Sequence, residues 1–225
     1  MVTQLTETVW WVDFPGVNAY VVDDDGVITL VDAGPPLYTH RLVNAVTHVG
    51  ESLSAVERIL ITHYDFDHVG ALGKLDALDA PVYIGRADMP YLTGEQKPPL
   101  RSQKGLFQRA VDWMVDVPKM SVVPTDDGDQ LGSFTAYHTP GHTPGHTVYC
   151  SEKHSVGFLG DMVWERRGTV DMIPWFLCEE YERAKQSLVS FASRAPPFET
   201  LCPGHGTPVV EGGHEQLEQC VNRMR

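Results

Sequence analysis

The sequence predicts an α/β sandwich, and two observations predict it. Short apolar runs rich in β-branched residues alternate along the chain with segments of helical apolar spacing. The chain is also long and apolar enough, at 225 residues and 42% hydrophobic, to bury a sizeable core. A small peptide-like module is excluded. No low-complexity tract, linker or tandem repeat divides the chain, so a single domain over residues 1–225 is expected.

The opening reads as a hairpin. VNAYVV (17–22) and GVITLVDAG (26–34) flank an acidic turn of Asp23, Asp24 and Asp25. After Pro35 and Pro36, Leu37 to Val49 carries apolar residues near helical spacing at Leu37, Leu42, Val46 and Val49, and Gly50 is its stop. ERILIT (57–62) reads as a buried strand, Val69 to Leu78 as a helix and PVYIG (81–85) as a strand. From Arg86 to Met120 the character changes. Pro90, Pro98 and Pro99 interrupt the chain before an amphipathic pattern resumes over Leu100 to Val117, which reads as an insertion or cap. Four strands are expected in SVVP, SFTAYHT, TVYCS and SVGFLGD. A helix over Glu179 to Ser193, a last strand in ETLCPGH and a closing helix over Gln216 to Arg223 complete the reading.

The net charge of −13 repels nucleic-acid backbones and anionic membrane surfaces, which argues against both as partners. No apolar run approaches the roughly 20 residues of a membrane span, and MVTQLTETVW lacks a basic stretch followed by an apolar one. The expectation is a soluble, cytoplasmic protein. Cys150, Cys178, Cys202 and Cys220 are widely spaced with no CxxC pair, so they read as free thiols rather than a zinc knuckle or a disulfide framework.

Histidine carries the chemistry. Residues 63–68 read His-Tyr-Asp-Phe-Asp-His directly after an apolar strand, a density of imidazole and carboxylate suited to zinc, iron or manganese. His142 and His146 follow in HTPGHTPGH, Asp161 in FLGDM and His205 in CPGHG, each near glycine. Any one of these is unremarkable alone, because a lone histidine beside glycine is usually a loop or core residue. Taken jointly, they point to a metal site. Asp65 or Asp67 could also cap a following helix.

With these residues in place the chain resembles the metallo-β-lactamase superfamily. Its motif order is a strand-end Asp, His-x-His-x-Asp-His, a His, an Asp and a final His; here these are Asp32 in LVDAG, residues 63–68, His142, Asp161 and His205. The resemblance implies an α+β fold, a four-layer αββα sandwich with a two-metal site along one edge of its sheets. It implies that His63, Asp65 and His142 hold the first ion and that Asp67, His68 and His205 hold the second. Asp161 would bridge them, with Asp67 and Asp161 the catalytic residues among the ligands. Asp32 would stand behind the metals and orient a ligand, and His146 would be a neighbouring polar group.

One position departs from that pattern. Asp65 stands where the family usually has His, which makes a dinuclear site with a bridging hydroxide formally neutral instead of carrying one positive charge. Such a site tolerates iron or manganese better than an all-imidazole one, so zinc is expected first with the other two as alternatives. The resemblance also extends to flavin-dependent di-iron proteins, which carry a carboxylate at this position.

The implied activity is hydrolysis of an ester, lactone, thioester or related bond of a small molecule by a dinuclear centre. TPGHTPGH looks more like the glyoxalase II and lactonase branches than the antibiotic-degrading one, and since glyoxalase II enzymes carry a helical C-terminal domain for their glutathione thioester, the 20 residues after His205 weaken the expectation of a glutathione thioesterase. The alternative is a di-iron oxidoreductase needing a separate electron-donor protein. The oligomeric state is open, a homodimer included. Between Arg86 and Arg109 the chain holds Arg86, Lys97, Arg101, Lys104 and Arg109 against Asp88 and Glu95, a local cationic excess in an otherwise acidic protein. Two readings follow. In one, Leu106, Phe107, Ala110, Val111 and Met114 pack a solvated helix onto the body. In the other, a cap lines the cleft, with Tyr91, Phe107 or Trp113 touching substrate and Arg101 or Lys104 holding a substrate anion.

Overall fold

Alternation along the strands builds two apolar layers at once. In the computed structural model, which describes residues 1–50, 52–75, 78–100 and 103–224, the first strands are β1 (Val2–Gln4), β2 (Val9–Phe14), β3 (Val17–Asp24) and β4 (Val27–Val31). Ala19 and Val21 of β3 face one cluster while Tyr20 and Val22 face another. Both faces of such a strand are buried, which is why it reads as a nearly continuous apolar run. Asp25 and Gly26, both at positive φ, make the β3–β4 turn, and Gly26 N–H donates to Asp23 Oδ1 at 2.6 Å.

Next come α1 (Thr39–Gly50), β5 (Val56–Ile61), the single turn α2 (Phe66–Val69), β6 (Val82–Gly85), α3 (Met89–Leu92), α4 (Gln103–Val111) and β7 (Val122–Thr125). Among the described residues β1 to β7 form one sheet in chain order, antiparallel through β4 and parallel from β4 to β7. The second sheet holds β8 (Gln130–Leu131), β9 (Phe134–His138), β10 (Thr147–Ser151), β11 (Val156–Arg166) and β12 (Thr169–Met172). After α5 (Tyr181–Arg194), β13 (Thr200–His205) joins it in parallel beside β11, and α6 (Gly213–Arg223) follows.

Three apolar clusters separate four layers. α1 packs through Leu42, Ala45 and Val46 on the outer face of the first sheet. α5 and α6 pack through Leu188, Phe191, Leu217 and Val221 on the outer face of the second. Leu60, Phe134, Tyr149 and Phe158 fill the space between the sheets. The α+β sandwich is therefore an αββα stack. Two buried hydroxyls pin the sheets together near one edge: Tyr20 Oη donates to Pro203 O at 2.7 Å and Tyr149 Oη to Ile61 O at 3.1 Å. That edge carries the ends of β4, β5 and β13.

Two expected helices differ. The helix read over Val69 to Leu78 is instead the single turn α2 and a 3-10 turn at Leu72–Lys74, with residues 76 and 77 outside the described set. Gly70 and Gly73 explain the break, because a Cβ at Gly70 would meet Phe66 O and Pro36, and one at Gly73 would meet the Asp116 backbone. Close packing on other segments, not helical continuation, decides this stretch. The pattern over Leu100 to Val117 narrows to α4 with a 3-10 turn at Asp112–Met114. β1, β2, β8 and β12 were not read from the sequence. All four cysteines are buried free thiols. Among the described residues no helix is long and apolar enough to cross a membrane.

Candidate metal centre

Strand ends, the β9–β10 loop and the middle of β11 deliver the donors. β4 ends at Asp32, which adopts φ 56, a left-handed conformation that Asp tolerates better than most residues and that marks a constrained position. Held there, its carboxylate accepts Thr62 N–H at 2.8 Å, Thr62 Oγ1 at 2.8 Å and His68 Nδ1 at 2.9 Å. Thr62 Oγ1 in turn lies 3.0 Å from His63 Nδ1. Since the hydroxyl proton goes to Asp32, the hydroxyl accepts from His63, and both rings carry their proton on Nδ1. Their Nε2 atoms are left buried and without a hydrogen-bond partner.

These free nitrogens meet the other donors. His63 Nε2 lies 3.4 Å from Asp65 Oδ2, and His142 Nε2, on the loop between β9 and β10, lies 3.1 Å from the same oxygen. Asp161, in the middle of β11, reaches both sides. Its Oδ1 is 3.4 Å from His68 Nε2, and its Oδ2 is 3.0 Å from His205 Nε2 and 3.5 Å from His142 Nε2. Asp67 Oδ2 lies 3.8 Å from His205 Nε2. His63, Asp65, His142 and Asp161 thus form one group of donors, and Asp67, His68 and His205 a second; each set lies within 4.8 Å. Ligands at about 2.1 Å around a tetrahedral ion stand roughly 3.4 Å apart, so the residues present fit divalent ions. The orphaned Nε2 atoms and Asp161 Oδ1, each buried and unpaired, say the same. Gly204 makes the approach feasible, since a Cβ there would lie 2.0 Å from Asp161 Oδ1.

The electrostatics are mixed. Burial pushes the His63 ring down to about 3, with neighbouring His68 and His142 adding to the effect. Burial also works against charge on His205, yet Asp161 overrides it and raises that ring to about 9. Asp65 is driven up by burial and pulled well below the ordinary carboxylate range by Lys104, His63 and His142.

His146 differs from the donors. Its Nδ1 lies 2.8 Å from Thr139 Oγ1 and its Nε2 accepts Asp161 N–H at 3.2 Å, so both nitrogens are occupied while the ring stacks on His63. It braces β11 where Asp161 projects.

Of the residues expected to touch substrate, Phe107 lines the cleft beside the donors, a cavity of about 310 Å³ also walled by Phe66, Trp164, Phe176 and Leu177. Tyr91 faces Tyr64 and a separate cavity instead, and Trp113 is 80% exposed outside the described cleft lining. Arg101 lies outside the described residues. Lys104 lines the cleft, but its Nζ is 3.0 Å from Asp65 Oδ1 and donates to His142 O at 2.9 Å. It is turned to the protein's own carboxylate, not held open for a substrate anion. The reading that packs the apolar side of α4 on the body is overturned as well. Leu106 and Phe107 are each 55% exposed, whereas Lys104, Gly105 and Gln108 are buried, because the surface beneath is Asp65 and polar backbone.

Sequence reasoning missed Thr62, Gln108 and Asp88. Asp88 accepts Tyr64 N–H at 2.9 Å, Thr143 Oγ1 at 2.6 Å and Gly145 N–H at 2.7 Å, tying the 63–68 loop to the 139–146 loop. Burial raises its carboxyl, and these hydrogen bonds act against that. Nothing local marks it. For Gln108 a signal existed in its spacing four residues after Lys104, which puts both on one helix face.

The Metallo-beta-lactamase superfamily matches this chain over residues 12–205. The probable metallo-hydrolase YflN of Bacillus subtilis is 32% identical over 218 residues, covering 87% of this chain and 81% of that protein. Among solved structures, the metallo-beta-lactamase family protein TTHA1429 of Thermus thermophilus superposes with a TM-score of 0.73 at 21% identity, covering 98% of this chain and 80% of the other. TTHA1623 in a di-iron-bound form superposes with a TM-score of 0.63 at 29% identity, covering 90% and 97%.

Proposed function

Since the chain belongs to the metallo-β-lactamase superfamily, we propose that it is a dinuclear metal-dependent hydrolase of small molecules, acting on an ester, lactone, thioester or related bond. The observation that carries this reading is the convergence of seven donor side chains into two groups with Asp161 between them, at the floor of one cleft. When bound, two divalent ions lower the pKa of water at neutral pH and polarise the oxygen under attack. His63, Asp65 and His142 would hold one ion, Asp67, His68 and His205 the other, and Asp161 both. Asp32 fixes the tautomers of His63 and His68, directly or through Thr62, and so keeps their Nε2 lone pairs aimed inward.

The cleft supports a neutral substrate with an apolar group. Its upper walls are aromatic, its polar floor holds Asp65, Asp67 and Asp161, and Lys104 is the one Lys or Arg among its described lining residues. That cation is already engaged. TTHA1623 carries two irons by its own description; with a carboxylate at position 65, iron belongs beside zinc and manganese among the metals to be tried.

The test strips the purified protein with a chelator, reloads it with zinc, manganese or iron, and screens lactones, aryl and alkyl esters, thioesters, β-lactams and phosphodiesters. Metal-restored hydrolysis of a neutral carboxylic ester, lactone or thioester, faster than that of its anionic analogue, is expected. Turnover that survives metal removal, or none in any loaded form, overturns the reading.

A further inference from the structure

A carboxylate at position 65 adds a buried negative charge where the motif order otherwise places an imidazole, and the same structure buries a cation against it. Lys104 is 5% exposed, and its ammonium sits 3.0 Å from Asp65 Oδ1. Gln108, one turn further along α4, donates its Nε2 proton to that same oxygen and to Tyr64 O at 3.2 Å, while its Oε1 accepts Phe66 N–H at 3.5 Å. The two carboxylate oxygens therefore do different things. Oδ1 is taken by α4, and Oδ2 is left facing His63 Nε2 and His142 Nε2.

The inverted burial of α4 has the same origin. A helix whose largest apolar side chains, Leu106 and Phe107, stand more than half exposed while a lysine and a glutamine are buried is not held chiefly by the hydrophobic effect. It is held by charge-assisted hydrogen bonds to a carboxylate that would otherwise be buried unpaired.

We propose that Lys104 is the charge counterpart of Asp65: the Asp65–Lys104 pair gives the first donor group the net charge of a histidine at position 65, while Gln108 fixes which oxygen faces the ion. The inference rests on the metal-centre reading above. It predicts that Asp65 and Lys104 are coupled, each tuned to the other. Replacing Asp65 by His while Lys104 stays leaves a buried ammonium beside an imidazole and a divalent ion, with nothing to offset it.

Zinc affinity, measured by competition with a chromophoric chelator, tests this on the parent and four variants whose folding is checked by circular dichroism. Asp65→His should weaken the tighter-coupled site at least tenfold, and the Asp65→His/Lys104→Met double variant should recover most of that loss. A merely structural Lys104 would make the double variant no better than Asp65→His. With Asp65 intact, and Gln108 still orienting it, Lys104→Met should bind zinc about tenfold more tightly and Lys104→Arg should stay near the parent. Absence of rescue, or Met and Arg variants that behave alike, overturns the pairing while leaving the metal centre standing; the Met and Arg comparison decides alone if Asp65→His does not fold. A parent protein that binds no zinc, manganese or iron overturns the centre itself and this inference with it.

Discussion

The two groups of donors are held in different ways. His68, in the second group, is gripped through its own ring by Asp32, and that group opens toward solvent at Asp67 and His205. The first group is closed over by α4, and its backing carboxylate, Asp88, touches no donor ring. It fastens the backbone of the two loops that carry His63, Asp65 and His142 through Tyr64 N–H, Gly145 N–H and the Thr143 hydroxyl. The second group is built by orienting a side chain directly, whereas in the first, where Asp32 reaches His63 only through Thr62, the clamping of loops is added. Loss of the first device therefore acts on a ligand, whereas loss of the second acts on the placement of a whole segment.

Asp161→Ala should have the largest effect, because among the described residues this carboxylate lies within 3.5 Å of ring nitrogens of both groups. Metal analysis should show both ions lost and kcat/KM should fall well beyond the roughly 10- to 100-fold typical of a supporting partner. Asp32→Ala should fall within that roughly 10- to 100-fold range and deplete the second group first. Equal losses in these two variants, at equal folding, would erase the distinction between a shared donor and an orienting group.

Asp88→Ala sharpens the contrast from the other side. It leaves two buried N–H groups and a hydroxyl without their acceptor, at a cost on the order of 2–4 kcal/mol. The expected signature is a lower melting temperature together with loss of metal from the first group ahead of the second. Preferential loss from the second group would contradict the loop-clamp role.

The smallest effect on the centre is expected at Asp24, on the far end of β3, which serves as a control. Its carboxylate accepts from Lys153 Nζ at 2.8 Å, Ser133 N–H at 3.1 Å, His154 Nε2 at 3.1 Å and Arg58 Nη1 at 3.3 Å. Burial raises its carboxyl, yet Lys153 and His154 outweigh that and hold it well below the usual range. A folded-state value below the unfolded one of about 3.9 gives stability that is full above that value and is lost as pH falls further. Asp24→Asn should therefore cost about 1–2 kcal/mol at neutral pH, keep its metal, and show a gap to the parent that narrows as pH falls below about 4 toward the lower folded-state value. A pH-independent gap in denaturant titrations would rule out the charge as the cause.

Much of the centre was legible because its signals are local. The run His63 to His68 follows an apolar strand, and the αL-prone Asp32 follows another, so strand periodicity puts each group at a strand end, while their meeting at one edge came from the family resemblance. The hairpin and α1 were readable for the same reason, as apolar spacing and turn chemistry are written within a few residues. β1 and β2 escaped because Thr3, Gln4 and the two tryptophans Trp10 and Trp11 blur the alternation, and the interrupted helix after His68 escaped because Gly70 packs on Pro36 and Gly73 on Asp116, each distant in sequence.

The sequence by itself determined the strand-end placement of Asp32, the 63–68 run and His205 and the alternation that stacks two sheets between helices, because each is encoded in side-chain type and short-range spacing; Asp161 stands instead in the middle of β11, which runs on past it to Arg166. Only the tertiary structure decided which face of α4 turns inward, that Lys104 meets Asp65 instead of solvent, and that Asp88 ties together the loops of His63 and His142, which lie far apart in the chain. Periodicity describes a helix in isolation and assigns its apolar side to the core. What lies opposite α4 is a buried carboxylate, and the cost of leaving that charge unpaired exceeds the gain from burying Leu106 and Phe107, so the helix docks by its polar face.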